Sequence, residues 1–272
     1  MKTVKRHMTA MNRYWDWLQH AEHIDADQGS PFAGHSFPGT KSGKSDRDDW
    51  TAEQMKRLFT SADYRNAPGG SALHWLPLLS LHSGMRLEEI CRLRPDHDII
   101  TENGVACFHV QPHQDGWDPK TEAGERKIPI HSWLVRHGLL DLVAKRRAEG
   151  CERLFPELPL DGQDKLGGDF SRSFSRLKTG LGFGTRVVFH SFRHTFRTVL
   201  ESSDLRERHI DAVMGHEGGS RSEGKTYAKR VLVSKLRDVV ETFENPLRLD
   251  FLPRPDHDFM MPIKKRRLVQ RR

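Results

Sequence analysis

At 272 residues, with 36% hydrophobic and 30% charged side chains, the chain is large enough for one big domain or two modest ones and reads as soluble and globular. No run approaches the roughly 18 apolar residues of a membrane span, and the basic N-terminus MKTVKRHMTAMNRYW lacks the apolar core of a signal peptide. The charge of +7 is concentrated at one end: the last ten residues hold six basic groups and no acid, leaving 38 basic side chains against 37 acidic, so any nucleic-acid face must be a local patch.

Val4, Met8, Met11, Trp15 and Leu18 recur at helical spacing and predict an amphipathic helix over residues 2–20. Residues 27–50 are rich in Gly, Ser, Pro and Asp, the composition of a linker. Thr51 and Gln54 form a capping-box signature that opens a helix through about Phe59. An apolar run from Ala72 to Leu81 predicts a buried helix broken at Gly84, followed by a short helix from Leu87 to Leu93. The period then changes. Asp98–Ile100 and Val105–Val110 flank Asn103-Gly104, a strong hairpin signal, and a third strand fits Arg126–Ile130. Helices are expected near 132–148, 169–178, 191–202, 206–214 and 232–243. The fold class is α+β, mostly α, with a small three-stranded antiparallel sheet. Cys91, Cys107 and Cys151 are odd in number and widely spaced, which suits neither a disulfide framework nor a zinc site and points to a reducing, cytoplasmic setting.

Four segments can supply parts of a phosphate-transfer site. In SGMRLEEI, Arg86 follows a helix break and Glu89 lies one turn on, close enough to orient the guanidinium. In KTEAGERKIPIH, Lys120 sits at a turn entering the third strand. In HSFRHTFR, His190 and Arg193 share one face while Phe192 and Phe196 face the core. His190 and His194 have the spacing of a zinc helix, but Ser191 stands where the metalloprotease motif needs Glu, so no metal is expected. The fourth segment runs from Gly215-His216 through a polar, Gly-rich loop to Tyr227, one of three tyrosines with Tyr14 and Tyr64. Taken singly, each has a plainer reading: a surface ion pair, a solvated lysine, a packing tyrosine.

The order Arg, Lys, His-x-x-Arg, Gly-His, Tyr resembles the active-site order of the tyrosine recombinases, the phage-integrase family. SGMRLEEICRLR, KTEAGERKIPIH, HSFRHTFRT and MGHEGGSRSEGKTYAKR carry the resemblance over roughly residues 48–243. It implies a helical catalytic domain at 48–246, a linker at 27–47 and the terminal helix of a truncated core-binding domain at 1–26, with 247–272 a basic tail. Some 80–100 residues of the core-binding domain are absent from this pattern, and the gap from His216 to Tyr227 is slightly long for the family.

The catalytic set implied is Arg86, Lys120, His190, Arg193, His216 and Tyr227, with Glu89 as helper acid and no cofactor or metal. Arg86 and Arg193 would hold the nonbridging oxygens. Tyr227 would be the nucleophile and His190 its proton acceptor. His216 would hydrogen-bond the phosphate, and Lys120 would protonate the departing 5′-oxygen. The partner implied is double-stranded DNA at a specific attachment site, bound by a homotetramer with accessory DNA-bending or directionality proteins in the cytoplasm, at the nucleoid. Arg126, Arg172, Arg176, Lys178 and Lys225 are weaker candidates for phosphate contacts, chosen for clustering near the motifs. Two other readings remain open: a DNA-binding remnant that no longer recombines, and a type IB topoisomerase.

Overall fold

A computed structural model describes residues 2–35, 47–216 and 232–256. The expectations for Tyr227, Lys225, the Gly-rich loop and the basic tail lie outside the described residues. The chain divides into two compact units, residues 1–46 and 47–272.

The first unit is helix α1 (Lys2–His20) and an irregular segment that folds back on it. Asn12 donates to the Phe32 carbonyl at 2.9 Å and accepts from the Ser30 hydroxyl at 2.6 Å, while Phe32 meets Trp15 edge-on with ring centres 6.2 Å apart. Part of the stretch with linker composition is therefore structured against α1.

The second unit begins with α2 (Ala52–Phe59), whose capping box forms as expected: the Gln54 amide donates to the Thr51 hydroxyl at 3.2 Å and the Thr51 amide to the Gln54 side chain at 3.1 Å. After the single turn α3 (Ala62–Arg65), helix α4 (Ala72–Ser83) runs through the centre with nearly every side chain buried. Helix α5 (Leu87–Cys91) follows, then strands β1 (Ile99–Glu102), β2 (Val105–Val110) and β3 (Arg126–Pro129) in one antiparallel sheet of order β1-β2-β3. Glu102 pairs with Val105 across a two-residue turn at Asn103 and Gly104, both at positive φ (50° and 77°), the backbone that an Asn-Gly hairpin requires. The predicted helix 132–148 is two helices, α6 (Ser132–Arg136) and α7 (Leu139–Ala148), because Gly138 between them takes φ 102° and ends the first. Helices α8 (Gly167–Gly180), α9 (Ser191–Glu201), α10 (Glu207–Met214) and α11 (Val233–Glu241) complete the unit.

Aromatic packing sets the helices around the site. Trp50 stacks on Phe192 of α9 with ring centres 4.7 Å apart and meets Phe174 and Phe183 edge-on, and its amide donates to the Thr195 hydroxyl at 2.8 Å. Val233, Leu236, Val239, Val240 and Phe243 are buried within the unit, so the apolar face of α11 packs on its own chain and only Leu232 stands out, 61% exposed. All three cysteines are buried and free. Among the described residues, no helix is long and apolar enough to cross a membrane.

Candidate active site

Two glycine turns bring the predicted residues together. Helix α4 ends at Gly84 and α10 at Gly215, each at φ 66°, a left-handed cap that L side chains rarely adopt. A Cβ on Gly84 would lie 2.6 Å from the Met214 sulfur and 2.8 Å from Phe196, and one on Gly215 would lie 2.8 Å from Nη1 of Arg126. The two turns can approach only because neither carries a side chain. Arg193, from α9, joins them: its Nη1 donates to the Gly84 carbonyl and its Nη2 to the Met214 carbonyl at 2.5 Å. Arg86, leaving the first turn, reaches the Gly215 carbonyl at 3.4 Å.

Glu89 organises the arginines. Its carboxylate accepts from Nη1 of Arg86 at 2.7 Å and from the Arg86 amide at 2.9 Å, and on its other side from Nη2 of Arg126 at 2.9 Å. Burial favours the neutral acid, but the Arg126 and Arg86 charges outweigh it and hold the pKa at about 2. Arg126 lies in β3 and also donates to the Val213 carbonyl at 2.7 Å and the Gly124 carbonyl at 2.7 Å. It thereby ties the sheet, the α10 turn and the connection that carries Lys120 to one carboxylate.

The balance of charge in this cluster is positive. Burial and the charges of Arg126 and Arg86 push the Arg193 pKa down to about 9, so Arg193 remains a cation at neutral pH, in surroundings that would gain from an anion. His216 lies between two guanidiniums, with Nε2 2.8 Å from Nη2 of Arg193 and Nδ1 in contact with Nη1 of Arg197. Burial and the charges of Arg193, Arg197, Arg86 and Arg126 push its pKa down to about 3, so it is neutral at pH 7. His190 caps the start of α9, edge-on to His194. Desolvation and the positive charges of His194, Arg193 and Arg86 lower its pKa to about 4, which leaves a neutral imidazole able to take a proton. Arranged this way, the pocket can bind an anion between fixed donors without a change of protonation at neutral pH.

Arg86, Glu89, His190, Arg193 and His216 thus come together. Lys120 sits exposed on the β2–β3 connection, just before the 3-10 turn Glu122–Gly124. The weaker DNA-contact candidates divide. Arg126 and Lys178 are buried, the first on Glu89 and the second donating to the Gly184 carbonyl at 2.8 Å, so the expectation of DNA-facing cations is corrected for both. Their sequence neighbours gave a surface reading because a long basic side chain with an internal acceptor is indistinguishable from a solvated one in sequence. Arg172 and Arg176 lie on the exposed face of α8, Arg172 paired with Asp169. Sequence reasoning passed over Arg197 and Asp211. The signal available was spacing alone: Arg197 follows Arg193 by one helical turn, on the same face.

A mostly helical domain with a three-stranded antiparallel sheet on one side and arginines gathered at two helix-end turns has the fold of an integrase catalytic domain. Residues 49–230 match the model of the phage integrase family, and the chain belongs to that family. Among solved structures it is similar to the integrase from mycobacterium phage Brujita, at 17% identity and a TM-score of 0.51, over 91% of this chain and 73% of that one. It is also similar to the Tn1549 transposon integrase in complex with a circular intermediate DNA, at 18% identity and a TM-score of 0.56, over 84% of this chain and 78% of that one. The same integrase in complex with transposon right end DNA matches at 18% identity and a TM-score of 0.55. No curated protein matches the sequence.

Proposed function

We propose that the chain is a site-specific tyrosine recombinase that cuts and rejoins DNA through a 3′-phosphotyrosine intermediate. The observation that carries this reading is the convergence of Arg86, Arg193 and neutral His216 on one electropositive pocket, at the ends of three elements distant in sequence. A phosphodiester gains charge on its nonbridging oxygens as it passes to the transition state. Donors already fixed in place stabilise that charge without reorganising, typically by a few kcal/mol each.

In this reading Tyr227 attacks the phosphorus and His190 accepts its proton. Arg86 and Arg193 hold the nonbridging oxygens, joined by His216, and Lys120 protonates the departing 5′-oxygen. The new phosphotyrosine bond keeps the energy of the broken phosphodiester, so a 5′-hydroxyl from another strand can reverse the step and complete the exchange. The partner is double-stranded DNA at an attachment site, consistent with the DNA in the complexes of the Tn1549 integrase. Assembly is as a tetramer with accessory DNA-bending proteins, and residues 1–26 are the end of a core-binding domain ahead of a catalytic domain at 48–246.

The test is a nicked duplex carrying the attachment site, incubated with the protein and resolved on a denaturing gel beside Tyr227→Phe. A covalent adduct lost in the variant establishes the nucleophile and the reaction together. Retarded DNA with no adduct, on the same duplex, would leave a DNA-binding protein without the chemistry.

A further inference from the structure

The connection from β2 to β3 is knotted before it reaches Lys120. The His113 amide donates to the Trp117 carbonyl at 2.8 Å, the Gly116 amide donates to the His113 carbonyl at 3.1 Å, and Gly116 takes φ 86°. Asp115 accepts from the Trp117 amide at 3.1 Å within the same turn. The turn is held from two sides. On one side is Asp98, a carboxylate 1% exposed, which accepts from Nε2 of His113 at 3.2 Å, from the Arg94 guanidinium at 3.0 Å and from the Gln111 amide group at 2.9 Å. On the other is Arg92, which ends α5. It donates to Oδ2 of Asp115 at 3.1 Å and lies over the Trp117 ring, 5.8 Å from its centre. The His113 ring packs on the same indole with ring centres 4.8 Å apart. Arg92 is itself fixed by Glu88 at 3.0 Å, and the Glu88 carboxylate also accepts the Leu166 and Gly167 amides, at 3.0 and 2.9 Å, where α8 begins.

Glu88 and Glu89 are consecutive residues of α5. Glu89 holds Arg86 and Arg126, and Glu88 holds the knot through Arg92. Lys120 follows Trp117 by three residues, and the Gly124 carbonyl beyond it accepts from Arg126 at 2.7 Å. A Cβ on Gly124 would lie 2.8 Å from the Cβ of Pro119, so the chain on either side of Lys120 is closely packed. Lys120 therefore projects from a short span pinned at both ends to the helix that organises the arginines. We propose that Trp117, clamped between Arg92 and His113, is a positioning residue that sets the approach of the Lys120 ammonium. The inference rests on the recombinase reading, in which Lys120 gives its proton to the 5′-oxygen as the phosphorus–oxygen bond breaks. A lysine has a flexible four-carbon stem, so a fixed backbone beneath it raises the effective concentration of its amine at the leaving group. Without the indole, Arg92 and His113 lose the surface they share, and the span keeps only its Gly124 end.

The test uses the nicked duplex in two forms, with oxygen or sulfur at the bridging 5′ position of the scissile phosphate. An alkoxide needs a proton to leave and a thiolate does not, so only the oxygen duplex depends on Lys120. On oxygen, Trp117→Ala should form the adduct about 10- to 100-fold more slowly than wild type. On sulfur it should come within about threefold of wild type, as Lys120→Ala should. Trp117→Phe, which keeps a ring under Arg92, should stay near wild type on both. An equal loss on the two duplexes overturns the positioning role, and so does no loss on either. Should Trp117→Ala not fold, Asp115→Ala, which removes the carboxylate between Arg92 and the Trp117 amide, is read in the same way. Trypsin cleavage after Lys120, followed by mass spectrometry, reads the anchor without DNA. It should be about tenfold or more faster in Trp117→Ala, and equal rates overturn the anchor. A wild type that forms no adduct on either duplex overturns the recombinase reading and the role of Lys120 with it, an outcome distinct from an active wild type whose Trp117→Ala variant loses both duplexes alike.

Discussion

Glu89 is a carboxylate 4% exposed, and its two guanidinium neighbours are what keep it charged there. Its folded pKa of about 2 lies below the ordinary 4.5, so its contribution is complete above about pH 4.5 and is lost as the pH falls toward 2. The difference corresponds to about 3 kcal/mol. Glu89→Gln should therefore destabilise the protein by roughly 3–5 kcal/mol at pH 7, because it leaves Arg126 buried without its counter-charge. Urea unfolding measures this directly, and a loss under about 1 kcal/mol would mean that Arg126 finds its compensation elsewhere. Arg193→Lys, which keeps the charge and gives up the fork, should cost about 100-fold in adduct formation with little change in stability relative to Arg193→Ala. Single-turnover cleavage on the nicked duplex would show it.

Elements meet at the glycine caps, and there geometry is less forgiving than chemistry. Gly84→Ala puts a methyl against Met214 and Phe196 at a backbone angle that alanine avoids. It should cost about 2 kcal/mol or more and displace the carbonyl that accepts from Arg193, so stability and adduct formation should fall together. An alanine variant as stable as wild type would show that the two turns can move apart without harm. A second junction is the buried stack of His82 on Trp133, with ring centres 4.8 Å apart, beside Phe243 at the end of α11. Burial and the charges of His131 and His137 outweigh the hydrogen bond to the Leu78 carbonyl and hold the His82 pKa at about 3. That value is below the unfolded 6.5, so stability from keeping His82 neutral is whole above pH 6.5 and drains away as the pH falls toward 3. The share due to His82 at pH 5 is about 2 kcal/mol. His82→Phe should narrow the gap in unfolding free energy between pH 7 and pH 5 by about that amount, and an unchanged gap would place the acid sensitivity in other groups.

For the whole molecule, the division at residues 46 and 47 predicts that a fragment of residues 47–256 folds cooperatively alone, with a melting temperature within a few degrees of the full chain. Calorimetry on the two proteins checks this, and a fragment that fails to melt cooperatively would mean that the second unit depends on the first. Because the chain outside its last ten residues is almost charge-balanced, DNA affinity has to come from a patch rather than from the net field. Arg172→Ala with Arg176→Ala should lower affinity and reduce the slope of log affinity against log salt by about 2, one phosphate contact for each. A salt titration leaving the slope unchanged would place the DNA-facing surface away from α8.

The elements were legible wherever local chemistry specifies them. The Thr51–Gln54 box, the Asn103-Gly104 turn and the 3.6-residue period of α9 and α11 each act over a few residues, and the fold has them where the sequence expects them. The motif order was legible too, since it belongs to the chain as written, and it led to the family that residues 49–230 match. What local sequence did not contain was the far side of each long contact. Arg126 stood as a candidate phosphate contact because its acceptors, Glu89 and Val213, are brought to it only by folding, and Lys178 because the turn after α8 that carries the Gly184 carbonyl back to it is not visible in the sequence. Arg197 was passed over in the sequence, because only the α10 turn sets His216 against it. Sequence alone determined which residues could form helices, turns and a phosphate site. Tertiary structure decided which cations gather at the two glycine turns and which are buried against internal acceptors, because burial and pairing depend mostly on neighbours distant in the chain.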